Sequence, residues 1–101
     1  MAELEKHIQK NILEYLQLRK HFAWRNNSGA FKTDAGGFYR FGDLGSPDIF
    51  LVKNGCIYGL EVKNAKGKQS DNQKTWEEGF TKAGGIYKVV RSLEDVQALG
   101  L

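Results

Sequence analysis

An Asn54-Gly55 step separates two apolar runs, Asp48-Ile-Phe-Leu-Val52 and Cys56-Ile-Tyr-Gly-Leu-Glu-Val-Lys63. Both central residues of such a turn need positive φ, which Asn and Gly tolerate, so the pattern predicts an antiparallel hairpin. The hairpin brings Asp48, at the start of the first strand, close to Glu61 and Lys63, near the end of the second. Glu61 and Lys63 are two residues apart and share one face, while Leu60 and Val62 point to the other, into a core. Two carboxylates and an ammonium on neighbouring strands are costly to bury unless they are paired or bind something. Any fold for this chain has to accommodate that group.

At 101 residues the chain fits one domain, 1–101, and 41% apolar residues permit a modest core. Charged residues make up 27% and are mixed in sign, which argues against disorder. The net charge of +3 permits nucleic-acid binding without establishing it. The single cysteine, Cys56, excludes an intrachain disulfide and a cysteine-rich zinc site, and fits a small apolar strand position. His7 and His21 lack a metal-ligand spacing and read as surface or helix-end residues. The charged N-terminus has no apolar signal region, and no stretch is long enough to span a membrane. An intracellular soluble protein with no membrane contact is expected.

The remaining elements follow from spacing. Leu4, Ile8, Ile12, Tyr15 and Leu16 recur at helical intervals and predict a helix over residues 2–19, with Glu5 and Gln9 at the border of its apolar stripe. Residues 22–27 read as a strand. Residues 32–45 contain Gly36, Gly37, Gly42 and Gly45 and read as a long irregular loop. After the hairpin comes a basic loop, 64–70. A second helix over 72–82 is expected to be capped by Asp71 and to bury Trp76 and Phe80. A strand over 86–90 and a short helix capped by Ser92 close the chain, with Leu93, Val96 and Leu99 inward. Apart from the loop, the order is α-β-β-β-α-β-α, an α/β arrangement.

The chemistry follows from residue type. Asp48 and Glu61 form a hard-oxygen site suited to Mg²⁺ or Mn²⁺. A metal so held lowers the pKa of a bound water and neutralises charge on a phosphoryl oxygen. Lys63, on the same face, could orient or deprotonate that water or stabilise developing charge. Gln73, early in the second helix, could reach back to Lys63, the water or a phosphate. These are the parts needed to hydrolyse a phosphodiester. Lys66 and Lys68, continued by Lys74, would contact a nucleic-acid backbone without reading sequence. Phe38, Tyr39 and Phe41, interleaved with Lys32 and Arg40, suit unpaired or branched nucleic acid, and equally a small hydrophobic cluster under the loop. Trp24 and Trp76 read as core residues.

Gly45-Ser46-Pro47-Asp48, then Glu61-Val62-Lys63, then Gln73, resemble the signature of the PD-(D/E)XK nuclease superfamily. Glu5-x-x-x-Gln9 and the run from Glu61 through Lys68 to Gln73 resemble its VRR-NUC branch, the virus-type replication-repair nucleases. The resemblance spans Glu5 to the strand at Ile86. It implies a restriction-endonuclease-like core, a mixed sheet flanked by helices, in a stand-alone domain. It also implies that Asp48 and Glu61 are metal ligands, with the Val62 carbonyl as a third and Glu5 contributing directly or through water. Lys63 would be the catalytic lysine and Gln73 an accessory polar residue. Small relatives resemble Holliday-junction resolvases, which implies a homodimer acting on branched DNA in replication, repair or recombination, in the cytoplasm of a bacterial or virus-host cell. Two other readings stand beside this one: a DNA-binding module with weak or no catalysis, and a flap or nicking nuclease.

Overall fold

The hairpin forms as its turn dictates, with Asn54 at φ 53° and Gly55 at φ 78°. The computed structural model describes residues 3–26 and 29–101, and the side chains of residues 29–31 and 39–41 lie outside that description. The elements are α1 (Glu5–Leu18), β1 (Phe22–Arg25), β2 (Gly29–Lys32), β3 (Phe38–Phe41), β4 (Ile49–Lys53), β5 (Cys56–Val62), α2 (Asp71–Lys82), β6 (Ile86–Val90) and α3 (Leu93–Gln97). β4 and β5 are the two arms of the hairpin. They occupy the centre of a four-stranded mixed sheet ordered β1-β4-β5-β6. β1 and β5 both run antiparallel to β4, whereas β6 runs parallel to β5.

The alternation of strand residues divides the sheet between two chemically different covers. One face carries Ile49, Leu51, Leu60 and Val62, which join Ile8, Ile12 and Leu16 of α1 and Val90, Val96 and Leu101 in one buried cluster. The other face carries Phe50 and Tyr87, and α2 lies over it. Phe50 stands 6.0 Å from Trp76 and 6.1 Å from Phe80 between ring centroids, and Trp76 stands 6.3 Å from Tyr87. Central strands buried on both faces explain why Glu61, which alternation assigns to the α2 face, is enclosed and not solvated.

Three local expectations are corrected. First, the glycine-rich segment is not irregular: β2 and β3 pair antiparallel as a separate two-stranded sheet. Gly36 and Gly37 lie at the turn, and Gly42 and Gly45 follow β3. Gly36 takes φ 84°, and Gly37 N–H donates to Thr33 Oγ1 at 3.1 Å. Second, α2 begins one residue earlier than expected and is capped by Ser70, not Asp71. Ser70 Oγ accepts from Gln73 N–H, and Gln73 Oε1 accepts from Ser70 N–H, a reciprocal capping box. Third, Trp24 is not a core residue. It remains 38% exposed, edge-on to Phe22, because α2 does not extend over the β1 edge.

α1 starts later than its apolar stripe suggests, with Leu4 exposed at the N-cap position. The final strand, β6, spans the expected residues, and Ser92 caps α3 by accepting from Asp95 N–H. Among the described residues no helix is long and apolar enough to cross a membrane.

The two faces of α1 predict opposite outcomes for similar truncations. Ile12 is fully buried and Leu18 is 83% exposed. Ile12→Ala should cost about 3 kcal/mol in urea unfolding, and Leu18→Ala no more than about 0.5 kcal/mol. Equal losses would show that α1 does not pack as described.

Candidate active site

The hairpin register places the acids. Ile49 pairs with Leu60, so Asp48 stands one step beyond, opposite Glu61 and on the same face. Asp48 lies before β4 proper, but its backbone continues the ladder: Asp48 N–H donates to the Leu60 carbonyl at 3.1 Å. Its side chain then bonds across the strand end, with Oδ2 accepting Val62 N–H at 2.8 Å. Pro47 packs over Gly59, where a Cβ would meet the proline ring at 2.7 Å. Gly45, at φ +87°, sits against the backbone of Asn72 and Gln73 with no room for a side chain. The Gly-Ser-Pro-Asp segment is thus wedged between β5 and the start of α2.

Glu61 is 2% exposed, and both of its oxygens are engaged. Oε2 accepts Gln73 Nε2 at 3.0 Å and lies 3.6 Å from Lys63 Nζ. Oε1 accepts the Tyr87 hydroxyl at 3.4 Å. Burial first, and then the Asp48 carboxylate beside it, push the Glu61 pKa from 4.5 up to about 8. Lys63 and the Tyr87 hydroxyl pull the other way and do not prevail. Burial also raises Tyr87 above the usual phenol range. The acid pair is therefore short of positive charge. Two hard carboxylate oxygens lacking a full counter-charge are a donor set that fits Mg²⁺ or Mn²⁺, which need few protein ligands.

The structure places the other expected residues at different distances from this pair. Gln73 reaches it, but bonds Glu61 and not Lys63. Val62 joins it through its N–H. Glu5 does not complete a three-acid group: among the described residues, no three His, Cys, Asp or Glu side chains gather where they could hold one metal ion. Glu5 Oε2 instead accepts Asn64 N–H at 3.2 Å, and it packs so closely on Gly67 that a Cβ there would meet it at 2.5 Å. Lys66, Lys68 and Lys74 are exposed on the following loop and the first turn of α2, and Lys32 is exposed at the end of β2. Arg40 lies in β3, with its side chain outside the described residues.

Several contributors are not evident from the sequence. Tyr87 is a β6 residue whose contact with Glu61 depends on the parallel β5–β6 pairing. Arg91 Nη1 donates to the carbonyls of Asn64 and Gly67 at 2.6 and 2.8 Å, which fixes the basic loop from the far side. Asn26, just after β1, bonds the Asp48 segment. None of these carries a local signal, because each acts across strands distant in sequence.

This geometry, an acid pair and a lysine at one end of a hairpin in a mixed sheet, is that of a restriction-endonuclease-like domain. No family model and no curated protein sequence matches the chain. Among solved structures it is similar to a chain described as a VRR_NUC domain. The two share 25% sequence identity with a TM-score of 0.68, over 94% of this chain and 91% of the other. The chain has the fold of a VRR-NUC domain, and this likeness supports a nuclease-family domain.

The raised Glu61 pKa predicts how stability responds to pH. The folded protein keeps a proton that the unfolded chain releases near pH 4.5. The stabilisation from this proton is complete below that pH and is lost as pH rises through about 8. In the presence of chelator, wild type should lose more melting temperature between pH 5.5 and 8.5 than Glu61→Gln does, by roughly 5 °C. Parallel curves for the two proteins would refute the assignment.

Proposed function

We propose that the protein is a metal-dependent endodeoxyribonuclease that hydrolyses phosphodiester bonds in branched DNA, four-way junctions included. The observation that carries this reading is the buried Asp48–Glu61 pair with Lys63 beside it, on the central hairpin of a VRR-NUC fold. Asp48 and Glu61 would hold Mg²⁺ or Mn²⁺, with the Val62 carbonyl and, through water, Glu5 as further contributors. When bound, such an ion supplies Lewis acidity, which acidifies water and offsets phosphoryl charge.

The chain's own residues have separate tasks in this reading. Lys63 keeps its ammonium at the open end of the acid pair, 12% exposed, where a phosphoryl group gaining negative charge would meet it. Glu61 draws on that charge and in turn holds Lys63 in place. Gln73 fixes the Glu61 carboxylate through Nε2 while its own carbonyl oxygen is tied to Ser70 N–H. The phosphates on either side of the scissile bond would lie on Lys66, Lys68 and Lys74, with Lys32 and Arg40 of the β2–β3 hairpin as further candidate DNA contacts. These contacts position a backbone without reading bases. A homodimer with twofold symmetry would present two such sites to the two strands of a symmetric junction.

Cleavage of supercoiled plasmid, flap and four-way-junction DNA in Mg²⁺, Mn²⁺ or EDTA tests this reading. Wild type should cut the junction fastest, and EDTA should abolish cutting. Lys63→Ala should lower kcat by about 10²-fold or more with DNA binding retained. Undiminished cutting by Lys63→Ala would overturn the mechanism. The double variant Lys66→Ala/Lys68→Ala should weaken binding to all DNAs alike and reduce the slope of log K against log salt by about 2. Sedimentation should give twice the chain mass; a monomer at working concentration would remove the paired-cut part of the proposal.

A further inference from the structure

Asp48 lies one step beyond the β1–β4 ladder. β1–β4 pairing ends at Arg25 and Ile49. Pro47, immediately before Asp48, has no N–H to offer, so the segment can be held from the β1 side only through its carbonyls and the Ser46 hydroxyl. All three of these positions are taken by one residue. Asn26 N–H donates to the Asp48 carbonyl at 2.8 Å, which extends the strand pairing by one bond. Asn26 Nδ2 donates its two hydrogens to the Pro47 carbonyl at 2.9 Å and to Ser46 Oγ at 2.8 Å. Ser46 passes the restraint on, its hydroxyl donating to the Asp43 carbonyl at 2.7 Å. Ser46 and Pro47 are both buried, so these bonds are made away from competing water.

We propose that Asn26 is a positioning residue that sets the Asp48 carboxylate for cation binding. It holds two consecutive backbone carbonyls and the Ser46 hydroxyl from behind, while Val62 N–H takes the carboxylate from in front. Gly45, seated on the start of α2, closes the third side. The chemistry suits asparagine specifically. The position needs two donors in a plane and no charge, whereas an aspartate carboxylate has no donor and would set its negative oxygens against the Pro47 carbonyl. The inference rests on reading Asp48 as a cation ligand, and its test separates the two.

Mn²⁺ binding is measured by calorimetry on wild type, Asp48→Ala and Asn26→Ala, each checked for folding by its thermal melt. Wild type should bind and Asp48→Ala should not. Asn26→Ala should bind about 10- to 100-fold more weakly and lose kcat on junction DNA by a similar factor, with KM for DNA within about twofold. A merely structural role would lower the melting temperature without this change in metal affinity. Should Asn26→Ala fail to fold, Ser46→Ala, which removes one acceptor of the Asn26 amide, gives the same readout on a smaller scale. Mn²⁺ binding weakened about threefold supports the proposal, and unchanged affinity overturns it. If wild type binds no Mn²⁺, or Asp48→Ala binds it equally well, the metal reading of Asp48 fails and takes this inference with it. If wild type binds and the folded Asn26 or Ser46 variant binds as tightly, the positioning role alone fails.

Discussion

Two carboxylates face each other across the central hairpin, and most of the molecule is arranged around that repulsion. Like charges directly opposite on paired strands oppose folding, and burial increases the penalty. Asp48 and Glu61 tolerate the arrangement because every flanking element contributes a donor or a cation. β5 supplies Val62 N–H, α2 supplies Gln73, β6 supplies Tyr87, and the next residue on the same face supplies Lys63. The compensation is incomplete, and the cost appears as a Glu61 that keeps its proton to about pH 8. In the proposed reading, that shortage of positive charge is the binding energy for a divalent cation.

The sheet keeps this pair in place by having two unlike covers. α1 and α3 seal one face with aliphatic side chains. α2 covers the other with Trp76 and Phe80, but its first turn is polar and brings Gln73 over Glu61. The same glutamine side chain closes the capping box with Ser70. Helix initiation and orientation of the acid are therefore one structural event. The basic loop is held in a similar way, between Glu5 of α1 and Arg91 after β6, so lysines that repel one another are carried on an ordered backbone.

The β2–β3 hairpin stands apart. It pairs with itself and not with the main sheet, and it leads into the segment that carries Asp48. Phe38 is 69% exposed and lies opposite Lys32 in register. Two strands alone are marginal in water. An exposed aromatic beside a cation on such an arm fits the proposed approach of DNA better than a cluster packed beneath a loop. Of the glycines that obscured these strands in the sequence, Gly36 and Gly37 sit at their turn and Gly42 and Gly45 follow β3.

What was legible in the sequence is what depends on neighbours along the chain. Asn54-Gly55 specified its turn because both residues accept positive φ. Ile8, Ile12 and Leu16 specified α1 through their spacing, and Ser92 specified the cap of α3. With the turn set, strand alternation brought Asp48, Glu61 and Lys63 to one end. Tertiary structure decided the rest, because it depends on which strands pair and which helix covers which face. That Glu61 is buried, that Glu5 bonds the basic loop and does not complete a three-acid group, and that Tyr87 and Asn26 reach the acid pair all follow from contacts across 20 to 60 residues of chain. Local patterns cannot encode such contacts, since each becomes geometrically determined only when the sheet order β1-β4-β5-β6 is in place.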